Sequence, residues 1–308
     1  MGVIPTQNRD TKFDIAAYSN TKIDLLDWAL SLLQESPLAQ ELIADAEADG
    51  WTIEIDQYEG HDFNLDVPRK IITINTNTMN EAAIARSPYF SSIFVTTLAR
   101  ALRDVWQEKR NGGFDHDFKP EDILTLERIR AADLDCMTIL MAWELRCAGE
   151  GKLWRHILGS DNSDIAMRFA AIADHNINDL PIQTALAASF KQWFVSKDRI
   201  DNCDHETLEM MDEILKDSNF QNPFGRMALK DSHIYRLSCL PDKTSYLQYD
   251  AIDIITNPLY SGMNDEMNQL HFMHIIRDTQ VTYVQNVPFQ DKKLAMRVFP
   301  NGMMSVED

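Results

Sequence analysis

The fold of this chain is decided by the stretch TTLARALRDVWQEKRNGG, which runs from Thr96 to Gly113. Its apolar side chains recur every three or four residues, which is the period of an α-helix with one face in a core. Ser87-Pro88 upstream is a typical helix start, and the two glycines at the end of the stretch stop the pattern. The sequence therefore predicts an amphipathic helix from Ser87-Pro88 to about Arg110. Its apolar face comprises Phe90, Ile93, Phe94, Thr97, Leu98, Ala101, Leu102, Val105 and Trp106.

Two helices and two short strands are predicted before this helix. The first helix begins at Asn20 or Thr21 and the second at Ser36-Pro37, where a polar side chain can cap the first turn. The strands are WTIEIDQ (51–57) and KIITIN (70–75), and the turn-rich segment GHDFNLDVPR separates them. We expect the strands to pair in a small sheet, arranged as a meander, beside the helix that contains Arg100.

The rest of the chain reads as mostly helical. A long helix is predicted from about Glu121 to Ala148, where Gly149 ends it. The strand-like stretches VTYVQNV and LAMRVF lie near the C-terminus. The predicted class is therefore α+β, predominantly helical. Further helical patterns cover residues 163–175, 182–195, 205–216 and 262–276.

The net charge of the chain limits the kinds of partner that are expected, and its cysteine content indicates the cellular compartment. The chain has 48 acidic and 29 basic residues, a net charge of −19, which repels nucleic acid and anionic lipid. Its cysteines form no close pair, and Cys136 and Cys147 would lie roughly 16 Å apart on one helix, too far for a disulfide. Free thiols, an N-terminus unlike a signal peptide and the lack of a long apolar run predict a cytoplasmic protein. No nucleic-acid or membrane partner is expected.

Three residues of the predicted helix that ends near Arg110 indicate whether it could bind a catalytic metal. Arg100, Ala101 and Asp104 have the spacing of His-Glu-x-x-His, in which two histidines one turn apart bind zinc and the glutamate acts as general base. Arginine stays cationic and repels a metal ion, alanine cannot accept a proton, and a single aspartate is a weak ligand. Zinc-dependent hydrolysis at these positions is therefore not expected.

The segment LARALRDVWQ resembles LAHELRHVWQ, a form of the motif expected in bacterial zincin-like metallopeptidase domains. The resemblance covers about Ser36 to Trp154, where a helix, two strands and another helix are arranged as in a minimal zincin. It implies a third, acidic ligand from the next helix, in a Glu-Ala-Asp-like stretch. That stretch is Ala131-Ala132-Asp133 here, so Ala131 stands where the glutamate would be. The resemblance thus implies a degenerate site at Arg100, Ala101, Asp104, Ala131 and Asp133.

The site has two interpretations. In the first, Arg100 takes the place of the metal and holds Asp104 or Asp133. Asp133 is expected to be partly buried, because it shares a stripe with Ile129, Cys136 and Leu140, and it would need a partner. In the second, both helices are ordinary core helices, and Arg100 and Asp104 form a solvated surface pair.

The resemblance also gives an expected organisation and function. We expect an N-terminal arm and helix (1–35), a zincin-like minimal domain (36–160) and a mainly helical region (161–308) packed on it. The leading hypothesis is a catalytically inactive peptidase fold with a binding or regulatory role. Its partner would be a peptide or a protein, and it would need no cofactor.

Two alternatives to this function stay open. One is a zinc-dependent hydrolase with a rearranged site such as His116, Asp133 and Asp135, and the other is a purely helical interaction protein. A metal site at His271 and His274 is weaker still, because only two histidines and no matched acid are visible there.

Overall fold

The computed structural model describes residues 21–77, 79–111, 114–174, 182–218 and 222–279, and the backbone of 282–284, 287–289 and 297–298. The predicted N-terminal arm and most of LAMRVF lie outside the described residues. The helices are α1 (Lys22–Leu33), α2 (Pro37–Ala48), α3 (Glu81–Arg86), α4 (Pro88–Asn111), α5 (Pro120–Cys147), α6 (Lys152–Leu158), α7 (Ser163–Ala173), α8 (Ile182–Trp193), α9 (Lys197–Asp217), α10 (Asp231–Leu237), α11 (Ala251–Thr256), α12 (Pro258–Ser261) and α13 (Glu266–Thr279). The strands are β1 (Thr52–Asp56), β2 (Phe63–Asp66), β3 (Ile71–Asn75), β4 (Thr282–Val284) and β5 (Val287–Phe289). The prediction of a predominantly helical α+β fold is confirmed.

Local signals placed the helix ends well. Thr21 caps α1 by accepting a hydrogen bond from the backbone N–H of Asp24, and Ser36 caps α2 by accepting one from Ala39. Gly50 follows α2 with a φ of +83°, a left-handed conformation that glycine adopts without strain. Helix α9 begins at Lys197, eight residues before the predicted start, because Ser196 caps it.

The small sheet has a different topology from the predicted meander. Strand β1 pairs with β3 in parallel, β2 pairs with β3 antiparallel, and the strand order is β1-β3-β2. The meander prediction is wrong because β2 lies inside the segment interpreted as turns. Strand β3 takes the centre because Ile72 and Ile74 on it are wholly buried. The predicted pairing of the first and last strands is confirmed.

Helix α4 is the central element of its part of the structure. It packs against α1, α2, α3, α6, β2 and β3, which confirms the predicted position of the sheet beside the Arg100 helix. Because it has neighbours on several sides, α4 is buried well beyond its apolar stripe. Arg103 and Gln107 are buried as completely as Leu98 and Leu102.

The chain groups into two compact units. The division of the chain at residues 35 and 160 stays a prediction. The first unit comprises residues 1–113, 132–193 and 235–248. The second comprises residues 114–131, 194–234 and 249–308. Among the described residues, no helix is both long and apolar enough to cross a lipid bilayer.

A partly buried glutamate connects two helices of the first unit. Glu144 of α5 accepts hydrogen bonds from the Ser36 hydroxyl and, at 3.1 Å, from the backbone N–H of Leu38, so it helps to cap α2. Burial raises the pKa of Glu144 above its ordinary value of 4.5, and the two hydrogen bonds oppose that rise only in part. The carboxyl group therefore binds its proton more tightly in the folded protein than in the unfolded chain.

This difference predicts a pH dependence of stability. Above pH 4.5 the folded protein holds a proton at Glu144 that the unfolded chain releases, so the contribution of Glu144 to stability falls as the pH rises through its folded pKa. The variant Glu144→Gln lacks this titration. Urea unfolding between pH 4.5 and 8 should show the wild type losing stability relative to the variant as the pH rises. Glu41→Gln, a substitution on the exposed side of α2, is the matched control, and an identical trend in both variants would contradict the prediction.

Candidate functional site

Arg100, Ala101 and Asp104 lie within about one turn of α4, and Arg100 forms an ion pair there. The guanidinium of Arg100 bonds to Oδ1 of Asp135 on α5. The indole N–H of Trp193 on α8 donates to Oδ2 of the same carboxylate at 2.8 Å. The side chain of Arg100 is 30% exposed and that of Asp135 is 9% exposed, so the pair lies at the edge of the core. Ala101 beside it is fully buried.

A second ion pair lies one turn further along α4, wholly inside the core. Arg103 contacts Asp133 with two nitrogens, Nε at 2.7 Å from Oδ2 and Nη2 at 3.1 Å from Oδ1. Gln107 donates to Oδ2 at 2.6 Å, and the hydroxyl of Tyr246 donates to Oδ1 at 2.8 Å. Asp133 therefore accepts four hydrogen bonds, a donor set that can compensate a buried carboxylate. We call these four residues the Asp133 network.

The guanidinium of Arg103 also donates hydrogen bonds to backbone carbonyls. Its Nη1 donates to the carbonyl of Cys239 and its Nη2 to the carbonyl of Leu237, each at 3.0 Å. The indole N–H of Trp106 donates to the same Cys239 carbonyl at 3.2 Å. Leu237 is the last residue of α10, so Arg103 binds carbonyls that a helix end leaves without intrahelical partners.

The electrostatics of the network keep Tyr246 in its neutral form. Burial and the neighbouring Asp133 carboxylate raise the pKa of Tyr246 well above its ordinary value of 10. Its hydroxyl is therefore protonated at any physiological pH and can donate to the carboxylate. The four donated hydrogen bonds and the buried guanidinium give the arrangement the composition of a structural network.

The structure corrects the predicted partner of Arg100. Asp133 is buried, as the sequence predicted, but Arg103 holds it and Arg100 binds Asp135 instead. The reason is burial. A carboxylate without solvent contact needs a cation without solvent contact, and Arg103 is fully buried whereas Arg100 reaches the surface. A pairing between Arg100 and Asp104 stays a prediction.

The residues at the motif positions do not fit a catalytic zinc ion. Such an ion needs three neutral or anionic ligands and an open position, whereas α4 offers a guanidinium, a methyl group and one carboxylate at these places. Of the alternative set, Asp133 and Asp135 are occupied by the ion pairs, and His116 is exposed in a loop of the second unit. The part of the chain that the structure describes contains no group of three or more His, Cys, Asp or Glu side chains placed to hold a metal.

The other histidine-containing candidates have structural explanations. The loop 115–117 is tied down by its backbone, since Gly225 donates to the His116 carbonyl at 2.7 Å and Met227 to the Asp117 carbonyl at 3.0 Å. His271 on α13 lies 2.9 Å from a carboxylate oxygen of Asp212 on α9. These two residues form a cross-helix pair in the second unit.

Sequence reasoning missed four residues of the two ion-pair sites. Arg103 and Gln107 are four residues apart on α4, and their position beside the apolar stripe is the one signal that could have indicated burial. Trp193 reads as an ordinary core residue of α8. Tyr246 is separated from Asp133 by 113 residues, and no local pattern connects them.

The Asp133 network leads to a stability prediction. The substitution Asp133→Asn keeps the shape of the side chain but leaves the buried Arg103 charge uncompensated, so unfolding should become easier by about 3–5 kcal/mol. Asp45→Asn is the matched control, because Asp45 pairs with Lys109 and Arg110 near the surface, where loss of a pair costs up to about 1 kcal/mol. Urea unfolding at pH 7 measures both. Equal costs would show that Arg103 does not depend on the Asp133 charge.

Comparison with known proteins places the chain in a family. Residues 91–248 match the family described as "Putative metallopeptidase family (DUF6782)", a range that covers more than half of the chain. The matched range begins and ends later than the range of about Ser36 to Trp154 over which the sequence resembles a zincin. It contains every residue of the Asp133 network, and it also contains Arg100, Asp135 and Trp193. No curated protein and no solved structure matches the chain significantly. The chain therefore belongs to this family.

Proposed function

We propose that this protein is a catalytically inactive member of its family and acts by binding a peptide or protein partner. The observation that carries the proposal is the ion pair between Arg100 and Asp135 at the first ligand position of the motif. A permanent positive charge takes the place that a metal cation would need. An anionic side chain of the neighbouring helix neutralises it, as an acidic ligand would neutralise zinc.

The loss of chemistry at this site would be complete rather than partial. Replacement of one ligand could leave a weak metal site, but here the first ligand and the general base are both replaced. Without a metal-bound water and a base, neither the nucleophile nor the proton acceptor of zinc-dependent peptide hydrolysis is available. The packing of α4, by contrast, depends on apolar side chains elsewhere on the helix, among them the buried Leu98, Leu102 and Val105.

A binding role is consistent with what remains accessible at the site. The Arg100 side chain keeps about a third of its surface exposed, so a ligand in solution can reach this edge of the core. The net charge of −19 argues against nucleic acid or anionic lipid as that ligand. A cytoplasmic location is part of the proposal, since all four cysteines are free thiols.

Metal analysis and a peptidase assay test the proposal together. Protein purified without chelators should contain far less than one equivalent of zinc, and added zinc should not produce cleavage of a broad fluorogenic peptide library. One equivalent of zinc that disappears in an Asp135→Asn variant, together with hydrolysis, would instead support a hydrolase with a rearranged metal site.

A gain-of-function variant tests whether the site is derived from a zinc-binding motif. Arg100→His, Ala101→Glu and Asp104→His restore the motif and leave Asp135 without its guanidinium, free to serve as an acidic third ligand. The triple variant should bind zinc at least about tenfold more tightly than the wild type, an effect of about 1.4 kcal/mol. Isothermal titration measures the affinity, and circular dichroism confirms that the variant is folded. Adding Asp135→Asn should abolish the gain, whereas a folded triple variant without zinc affinity would favour a purely helical interaction protein.

A further inference from the structure

Helix α13 in the second unit exposes a row of large apolar side chains. Met267 is 72% exposed, Leu270 is 57% exposed and Met273 is 62% exposed. They are spaced three residues apart, so they lie near one another on the helix surface. The inward face of the same helix is anchored by Asn268 and Ile275, which are 5% and 1% exposed. The three residues thus form an apolar stripe on the outward face of α13, which we call the Met-Leu-Met stripe.

Such a stripe is unusual for a solvent-exposed face. Single exposed apolar residues are common on soluble proteins, but neighbouring ones on one helix form a patch of the kind found at interaction sites. Methionine is over-represented at surfaces that bind peptides, since its flexible thioether side chain adapts to different shapes. Two of the three residues of the stripe are methionines.

The helix beside the stripe supplies strong negative charge. Helix α9 packs against α13, and the two are joined by the contact of His271 with Asp212 and by a 2.8 Å hydrogen bond from the Asn268 amide to the Asp201 carbonyl. The sequence of α9, KDRIDNCDHETLEMMDEILKD, contains eight acidic and three basic residues. Glu206, Glu209 and Glu213 on it are exposed. An apolar stripe therefore lies next to an acidic helix.

We propose that the Met-Leu-Met stripe and the acidic face of α9 form a docking surface for a basic amphipathic helix of a partner protein. The apolar face of such a helix would cover Met267, Leu270 and Met273, and its lysine or arginine side chains would reach the glutamates of α9. This is recognition of a helix by an apolar surface, with charge complementarity selecting the partner and orienting it. An acidic partner would meet like charge at the same place and is excluded by it.

The docking surface is independent of the motif on α4. Its residues belong to the second unit, and Arg100 and Ala101 belong to the first. The inference therefore goes beyond the proposed function. It does not depend on whether the residues of α4 are catalytically active.

Peptide binding to the full chain tests the inference. The probe is a fluorescent 18-residue peptide of leucine and lysine with leucine along one helical face, and its twin carries glutamate in place of lysine. Fluorescence anisotropy should show saturable binding of the basic peptide and none of the acidic one. Leu270→Lys should weaken binding at least about tenfold, because it places a charge in the centre of the stripe. Val195→Lys makes the same change at another exposed apolar residue and should leave the affinity within about twofold.

The contribution of charge is tested separately. The double substitution Glu209→Gln and Glu213→Gln should weaken binding of the basic peptide several-fold and flatten its dependence on salt concentration. The inference is overturned if the two peptides bind equally, if neither binds, or if Leu270→Lys and Val195→Lys have the same effect. It is also overturned if the full chain forms a dimer that Leu270→Lys dissolves, since a second copy would then be the occupant of the stripe.

Discussion

The buried ion pair between Arg103 and Asp133 is the interaction on which the rest of the first unit depends. It joins α4 to α5 and, through the carbonyls of Leu237 and Cys239, to the chain at the end of α10. Tyr246 then brings the following segment to the same carboxylate. Burial of two charges carries a large desolvation cost, and only a complete set of partners on both sides can offset it. This requirement makes the relative positions of these elements specific in a way that apolar packing alone does not.

The second unit contains a buried arginine–aspartate pair of the same kind. Arg128 of α5 contacts both carboxylate oxygens of Asp204 on α9 at 2.6 Å, and both side chains are buried. Its remaining nitrogen donates to the carbonyls of Tyr260 and Gly262, at the C-terminal end of the short helix α12. In each unit, therefore, a buried arginine from a long helix pairs with an aspartate and also binds the end of a short helix. The last carbonyls of a helix carry partial negative charge and lack intrahelical donors, so a guanidinium satisfies both needs.

At the site on α4, the residues that pack the helix are distinct from Arg100 and Asp104, whose charged side chains bear on its chemistry. Apolar side chains pack α4 against its neighbours, and apolar side chains do not bind metal ions. A guanidinium can therefore replace a ligand at Arg100 as long as a carboxylate such as Asp135 neutralises it. The Asp133 network is formed by residues other than Arg100, Ala101 and Asp104, so this buried ion pair does not depend on those three positions. The proposed binding role and the docking surface on α13 both belong to such a scaffold, since neither requires a catalytic centre.

The sequence by itself determined the helices, their caps and the missing zinc ligands. These features follow from residue identity and spacing over a few positions, as the cap at Ser36 and the motif at Arg100 show. Only the tertiary structure decided that β2 joins β3 and that β1 and β3 run parallel. It also decided that Arg103 rather than Arg100 holds Asp133, and that Tyr246 completes the network. The partners in the two ion-pair sites lie from 26 to 136 residues apart, and which side chains meet depends on how distant helices pack. Local patterns encode the faces of each helix, but the partner of a buried charge is chosen by the surrounding burial, which exists only once the chain is folded.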